Sequence, residues 1–346
     1  MRIVGKAGKS AVSIYMQEIV KRNREVYESV ILIGRGIHAG IELFRGFVNK
    51  KVPVHYTNQY LARLAYASGT KCIITVHDLF GHFDVGSSNP FKDLLLKMDL
   101  KGIKEAEHII AISKYTKSEI VEKLGVSSDS ITVVYNGVDH HAFKPNVGKE
   151  DYKIKDRHSN GRNYLLFVGS EQPRKNVLKI IEAYSVLKQK YGYDGVLLKV
   201  GGAEGSVYRK RTIAHIKKLG LVLGRDIIIR ENVSKSTLAA IYRNADLLIF
   251  TTLKEGFGLP VLEAMACGCP VVATNCSSIP EVGGDAVVYV EDPTNAHEIA
   301  EKCLKILQDP KERSRRVEIG IKRAELFSWD KCAMEVRTVY ERMGYI

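Results

Sequence analysis

The sequence predicts an α/β chain built as two doubly wound halves, each a parallel sheet covered by helices on both faces. Three observations carry this. Short β-branched runs alternate with helix-length segments from end to end. The strand-like runs are apolar throughout instead of alternating, the mark of strands buried on both faces. One polar stretch near the middle interrupts the pattern and divides it in two. A chain of 346 residues has room for two cores of roughly 150 residues each.

In the first half the strand candidates are Met1–Val4, Val30–Ile33, Val52–Tyr56, Cys72–Val76, His108–Ile112 and Ile131–Val134. Helical patterns at Ala11–Asn23, Gln59–Ala67, Pro90–Glu105 and Tyr115–Leu124 lie between them. Residues 144–162 (KPNVGKEDYKIKDRHSNGR) are polar and charged, with Pro145, Gly148 and Gly161, and read as a linker. The alternation resumes with Tyr164–Val168, Val196–Val200, Ile227–Ile229, Leu247–Thr251, Val271–Ala273 and Val287–Val290. From Ala296 onward the pattern is helical, broken near Pro310 and again near Ser328–Trp329. The expected domains are therefore 1–155 and 160–325, with a last helix at 328–346. In sheets of this kind ligands bind beyond the carboxyl ends of the strands.

Hydrophobic residues at 45% and charged residues at 26% fit a globular chain. No apolar run approaches the ~20 residues of a membrane span, and Met1–Val4 runs directly into glycines and lysines, so a cytoplasmic location is expected. The six cysteines lack zinc-site spacing and read as small buried residues. A net charge of +13 points to an anionic partner: nucleic acid, a phosphorylated ligand or an acidic membrane surface. The basic residues are dispersed over many helices, which argues against nucleic acid. The helix 90–105 combines Phe91, Leu94, Leu95, Leu96, Met98 and Leu100 with Lys92, Lys97, Lys101 and Lys104. Such a helix either packs half-buried in its own domain or gives peripheral contact with an anionic membrane at its inner face.

Gly5-Lys6-Ala7-Gly8-Lys9-Ser10 follows a strand and ends in Gly-Lys-Ser, but a phosphate-wrapping P-loop needs four residues between its glycines and here there are two. The segment reads instead as a glycine turn into a helix N-terminus, with Gly5 and Gly8 letting a ligand approach the backbone. A second glycine loop is richer in chemistry. Glu255-Gly-Phe-Gly-Leu-Pro-Val-Leu-Glu263 follows a strand and leads into a helix expected to start at Pro260, where proline belongs in the first turn. Gly256 and Gly258 open the main chain to a bound group, and the helix N-terminus offers N–H groups to a phosphate or sugar. Glu255 and Glu263 are carboxylates suited to sugar hydroxyls.

With its continuation Ala-Met-Ala-Cys-Gly-Cys-Pro-Val-Val-Ala-Thr274, this segment closely resembles the donor-site signature of family 4 glycosyltransferases. The resemblance extends over nearly the whole chain: Val76-His77-Asp78-Leu79, Ile112-Ser113-Lys114-Tyr115-Thr116, Tyr135-Asn136-Gly137-Val138-Asp139 with Phe143-Lys144-Pro145, Phe167-Val168-Gly169-Ser170 through Pro173-Arg174-Lys175-Asn176, and Phe327-Ser328-Trp329-Asp330. It implies a GT-B fold, two Rossmann-like domains facing across a cleft, with the last helix crossing back to the N-terminal domain. It also implies retaining transfer of a hexose from a nucleotide-diphosphate sugar, GDP- or UDP-linked, to a glycan or lipid-linked acceptor on the N-terminal side.

By that resemblance Lys175 and Arg174 hold the donor diphosphate, Glu255 meets the donor sugar and Glu263 the ribose. Gly256, Phe257, Gly258 and Leu259 supply backbone contacts, and Gly169 and Ser170 form the first donor-domain loop. His77, at a strand end, orients the donor sugar or the acceptor hydroxyl; Asp78 beside it reads equally as a helix N-cap. Many members carry Arg where this chain has Ser170, and Arg174 stands in for that charge. The Pro-Arg-Lys-Asn loop resembles that of mannosyltransferases using GDP-mannose, with UDP-sugars equally open. No Asp-x-Asp occurs in a metal-binding context, so the nucleotide sugar is a co-substrate and no metal or other cofactor is expected. The alternatives are another GT-B enzyme, a nucleotide-sugar epimerase or a phosphorylase, or a non-catalytic sugar-nucleotide-binding protein. An epimerase needs further acid/base carboxylates, and a phosphorylase a pyridoxal lysine.

Overall fold

Cys72–Val76 is buried at every position, as a strand flanked on both faces must be. It is β4 of a parallel sheet that the described residues build from β1 (Arg2–Lys6), β2 (Ser29–Ile33), β3 (Val54–Tyr56), β4, β5 (His108–Ala111) and β6 (Ile131–Val133), in the order β2-β1-β3-β4-β5-β6. A second parallel sheet holds β7 (Tyr164–Val168), β8 (Val196–Val200), β9 (Ile227–Arg230), β10 (Leu247–Phe250), β11 (Val271–Thr274) and β12 (Val288–Val290), in the order β12-β11-β10-β7-β8-β9. The chain is described here from a computed structural model that covers residues 1–6, 8, 10–33, 52–83, 89–145, 151–203 and 205–346. Ala7 and Lys9 of the Gly-Lys-Ser turn lie outside these residues.

Two compact units result, Met1–Gly137 with Phe327–Ile346, and Val138–Leu326. In the first unit α1 (Ala11–Arg22) starts at Ser10, whose hydroxyl accepts from the Ser13 N–H at 3.3 Å. The expected helix 59–67 is a 3₁₀ turn, Gln59–Leu61, followed by α2 (Ala62–Ser68); the Asn58 side chain accepts from Tyr60 N at 2.7 Å and starts the turn early. α3 (Pro90–Glu105) and α4 (Lys114–Leu124) complete the layers used below. α3 buries Leu96, Asp99, Gly102 and Ile103 and leaves Phe91 and Leu94 exposed.

The C-terminal helix, Trp329–Arg342, is part of this first unit. Trp329, Cys332, Ala333, Val336, Val339 and Tyr340 pack with Ile3, Tyr15, Met16, Ile19 and Ile73. A buried polar chain runs through the same core. His55 Nδ1 meets Tyr340 Oη at 2.5 Å and Nε2 meets Thr75 Oγ1 at 2.8 Å, while Tyr15 reaches Thr75 at 3.1 Å and Tyr27 reaches Tyr340 at 3.0 Å. Burial, reinforced by nearby His77, lowers His55 to about 3, so the ring is neutral. The exposed pairs Arg22–Asp330 (2.7 Å) and Arg337–Glu25 (2.7 Å) add little beside this apolar contact.

The second unit begins earlier than the sequence suggested, at Val138 instead of near residue 160. The polar stretch taken as a linker is anchored to this unit. Asp151 is buried and bridged by Arg243 (Nε to Oδ2 2.5 Å, Nη2 to Oδ1 2.9 Å), and Ile154 is buried at the head of a short helix, Ile154–Ser159. A few buried anchors in a hydrophilic run leave no periodic signal to read. Around the sheet lie α5 (Val177–Tyr191), α6 (Ser206–Lys218), α7 (Lys235–Asn244), α8 (Leu259–Ala266), α9 (Ala296–Gln308) and α10 (Pro310–Ala324). Their core joins Leu165, Phe167, Ile180, Tyr184, Leu197, Ile249 and Ile299. Of the cysteines, Cys276 is half-buried and the other five are buried, all with free thiols. Among the described residues no helix is long and apolar enough to cross a membrane.

Candidate active site

In the second sheet the strand order reverses between β7 and β10, so the loops leaving these neighbours diverge and open a crevice at their carboxyl ends. The loop after β7 is held at both ends. Gly169 N continues the ladder to Val200 O at 2.9 Å. Asn176, at φ 59°, donates through Nδ2 to Thr251 O (2.9 Å) and Pro293 O (2.7 Å). Between them Pro173–Lys175 forms a 3₁₀ turn, and the Arg174 carbonyl accepts from Leu253 N and from Thr252 Oγ1, each at 2.8 Å. The two loops are thus stitched by backbone, independently of the side chains they present.

Those side chains meet. Lys175 Nζ pairs with Glu255, and Arg174 Nη1 lies 3.6 Å from the same carboxylate oxygen. Glu255 is fixed from the β11 side, its N–H donating to Ser277 Oγ (3.1 Å) and its carbonyl accepting from Ser278 Oγ (2.9 Å). Two cations share one carboxylate, and the side chains of Lys175 and Glu255 are only 12% and 15% exposed. The site therefore keeps a surplus positive charge in a partly dry place, where an anion is attracted more strongly than at an open surface.

The glycine loop leads into α8 one residue before the expected Pro260, at Leu259. Gly258 has φ 101°, a backbone conformation that favours glycine; a Cβ there would also meet the tip of Ile279, Cδ1, at 2.7 Å. Gly256 and Phe257 are buried before it, and the positive end of α8 faces the loop. Glu263 sits in the second turn of α8 and accepts from Tyr242 Oη at 2.9 Å. Burial raises its carboxyl to about 7, opposed by the Tyr242 hydrogen bond and by the charge of Lys235. Lys235 is itself held by Asp139 at 3.0 Å. Tyr242 and Lys235 were not singled out in the sequence: each lies more than 20 residues from Glu263, with no local signal linking them. Ser170 follows Gly169, and its hydroxyl is buried without a hydrogen-bond partner among the described residues.

His77, Gly5 and Gly8 belong to the first unit. His77 follows β4 and is buried; Nε2 lies 3.0 Å from the Thr57 carbonyl and its backbone N donates to Gln59 Oε1 at 3.2 Å. A carbonyl only accepts, so Nε2 carries the proton and Nδ1 of the neutral ring is an acceptor. Burial lowers His77 to about 4, which keeps it neutral at physiological pH. Asp78 accepts from Phe80 N at 3.2 Å, a capping contact at the turn Phe80–Phe83. Gly5 is not open to a ligand on its side-chain side: a Cβ would run into Met16 Sδ and Thr57 Oγ1, so this glycine lets α1 pack on the sheet. Gly8 is exposed at φ 132°, with Ser13 Oγ 3.6 Å from a would-be Cβ.

Residues 148–323, just over half of the chain, match the profile of the glycosyl transferases group 1 family. The chain belongs to this family. A second profile, glycosyltransferase family 4, matches residues 52–142 of this glycosyltransferase. The O-antigen chain mannosyltransferase B of Escherichia coli is 29% identical over 282 residues, 78% of this chain and 70% of that protein. The MMP alpha-(1->4)-mannosyltransferase of Mycolicibacterium hassiacum is 29% identical over 252 residues, 71% of this chain but 57% of that protein. In three dimensions the glycosyltransferase is similar to Anabaena HepE, solved in complex with UDP and glucose, with a TM-score of 0.80 at 16% identity, covering 98% of each chain. The fold is that of the GT-B glycosyltransferases.

Proposed function

We propose that this glycosyltransferase moves a hexose, with mannose from GDP-mannose the first candidate, from a nucleoside-diphosphate sugar bound by the second unit to a hydroxyl of a glycan or lipid-linked acceptor bound by the first. The observation that carries this is the Arg174–Lys175–Glu255 cluster at the β7/β10 crevice. As the glycosidic bond breaks, the diphosphate gathers negative charge, and cations already fixed beside it stabilise that state more than the ground state. Glu255 then exchanges a cation for the donor sugar hydroxyls, Glu263 takes the ribose, and neutral His77 accepts a hydrogen bond from a hydroxyl through Nδ1. The mannosyltransferase names of the relatives favour the mannose donor. Retention and independence from metal belong to the same proposal, the fixed cations and the α8 dipole taking the role of a divalent ion.

Thermal stability against UDP, GDP, ADP, CDP and ATP without added metal tests it. A diphosphate at 100 times its dissociation constant stabilises by about 2.7 kcal/mol, which shifts the melting point by several degrees. A response to ATP with magnesium alone, and to no diphosphate, would overturn the donor site.

Glu263 gives the reaction a pH signature. Its folded value near 7 stands above the ordinary 4.5, so the folded chain keeps a proton that the unfolded chain releases. Its stabilising share is present below about 4.5 and is lost as pH rises through 7. Ribose recognition needs the carboxylate, so affinity moves the other way. The dissociation constant of the cognate diphosphate is expected to fall between about pH 6 and 8, by at most tenfold per unit below 7. The terminal phosphate titrates at about 6 as well. The Glu263→Gln variant, with no proton to lose, isolates the protein's part, and equal slopes in the two proteins would refute it.

The exposed Phe91 and Leu94 on α3, beside Lys92, Lys97, Lys101 and Lys104, form the surface through which this unit contacts an anionic membrane and reaches a lipid-linked acceptor. Co-sedimentation with phosphatidylglycerol vesicles and its loss in Phe91→Ser/Leu94→Ser check this; binding unaffected by the substitutions would exclude α3.

A further inference from the structure

Lys199 is a lysine inside an otherwise apolar strand, Val-Leu-Leu-Lys-Val, and its side chain is 2% exposed. Charged side chains are rarely buried so completely without a partner and a purpose. Its ammonium turns toward the carboxyl end of β8, donates to the carbonyls of Gly201 and Gly202 (3.2 Å to the latter) and lies 3.0 Å from Glu171 Oε1. Glu171, fully buried, also accepts from Arg209 Nε of α6 at 2.8 and 3.1 Å, and Arg209 Nη2 reaches Glu231 beyond β9 at 2.6 Å. The loop leaving β7 is therefore fastened to β8 and α6 at one buried carboxylate, and Arg209 carries the link on to Glu231 beyond β9.

Glu171 stands three residues before Arg174. Beyond Lys175, Asn176 pins the loop to the β10 side. The backbone of the cationic turn Pro173–Lys175 is thus pinned by neutral hydrogen bonds on the β10 side, at Asn176 and at the Arg174 carbonyl, whereas on the β8 side the Glu171 side chain ties it by charge. Although burial alone would raise Glu171, Arg209 and Lys199 hold its carboxyl below the ordinary range, so the anchor is ionised across the working pH range. Within the donor-site reading above, on which this rests, we propose that Glu171, clamped by Lys199 and Arg209, is a positioning residue that sets the Arg174–Lys175 pair for the second phosphate of the donor. Neither Glu171 nor Lys199 needs to touch the ligand: a cation displaced by even ~1 Å loses much of its effect on a charge that develops at a fixed place.

The test measures dissociation constants for the cognate nucleoside diphosphate and monophosphate by calorimetry, together with melting temperature, in Lys199→Met, Glu171→Gln, the double variant and Arg209→Leu. Removing one charge strands the other in a dry site, so either single variant is expected to lose stability; removing both relieves that. The double variant is expected to melt near the wild type yet bind the diphosphate about tenfold or more weaker, the scale on which supporting partners act at metal sites. Monophosphate affinity stays as in the wild type. Arg209→Leu shows the same selective loss, to a smaller degree. Equal weakening of mono- and diphosphate, or wild-type diphosphate affinity in the double variant, overturns the positioning role while leaving the donor site standing. A wild-type protein that binds no diphosphate removes the donor-site reading and this inference with it.

Discussion

Lys175→Ala is expected to cost 10²–10³ in transfer rate, about 3–4 kcal/mol of barrier, with the fold intact. The size follows from what Lys175 faces. It is one of two cations at the crevice, paired with Glu255 and only 12% exposed, and in the donor site proposed above its charge would act on the leaving diphosphate. The intact fold follows from how its loop is held. Asn176 Nδ2 bonds Thr251 O and Pro293 O, and the Arg174 carbonyl takes Leu253 N and Thr252 Oγ1; none of these uses the lysine side chain. Glu255 keeps Arg174 at 3.6 Å, so the truncation does not strand a carboxylate. Initial rates over a range of donor concentrations, with the melting temperature as control, decide it. Lys175→Arg should recover only part of the rate, because a planar fork replaces a point charge. Wild-type turnover in Lys175→Ala would refute the donor-site assignment.

What could be read beforehand, and what could not, divides along sequence distance. Tyr164–Val168 and Val196–Val200 were legible to the residue because five consecutive apolar or enclosed positions leave no alternative to a strand covered on both faces. The Gly-Phe-Gly-Leu-Pro punctuation was legible because a left-handed glycine and a first-turn proline are local demands. The ion pair between Lys175 and Glu255 spans 80 residues and exists only because β7 and β10 are neighbours, which no local pattern states. Lys199 was hidden for the opposite reason: it lies inside an apolar run with nothing local to mark it, and its partner Glu171 lies on another loop. Gly5 shows the same limit from the other side. The sequence offered a glycine turn beside Lys and Ser and so a ligand approach, whereas the space beside it is taken by Met16 and Thr57.

Gly137→Ala is expected to lower the stability of the first unit by about 3 kcal/mol, the upper end of ordinary overpacking, and its melting temperature by roughly 6–12 °C. Gly137 lies in the Tyr-Asn-Gly-Val-Asp passage, and its reason is steric. A Cβ there would run into the backbone nitrogen of Trp329 and the carbonyl carbon of Ser328. Neither can swing aside as a side-chain tip would, since Ser328 caps the C-terminal helix through its hydroxyl, accepting from Lys331 N at 3.1 Å. The added methyl must push the start of that helix away, and with it Trp329, Cys332 and Ala333, which are buried against Tyr15, Met16 and Ile19. Limited proteolysis should then cleave near 328 in the variant at temperatures where the wild type resists. The second unit, Val138–Leu326, contains the Arg174–Lys175–Glu255 cluster whole, so diphosphate affinity at low temperature should be unchanged. Gly137→Ala and Lys175→Ala thus make opposite dissections, one of stability with the proposed nucleotide site preserved, the other of chemistry with stability preserved. An unchanged melting temperature in Gly137→Ala would mean that the C-terminal helix is not seated where the glycine meets it.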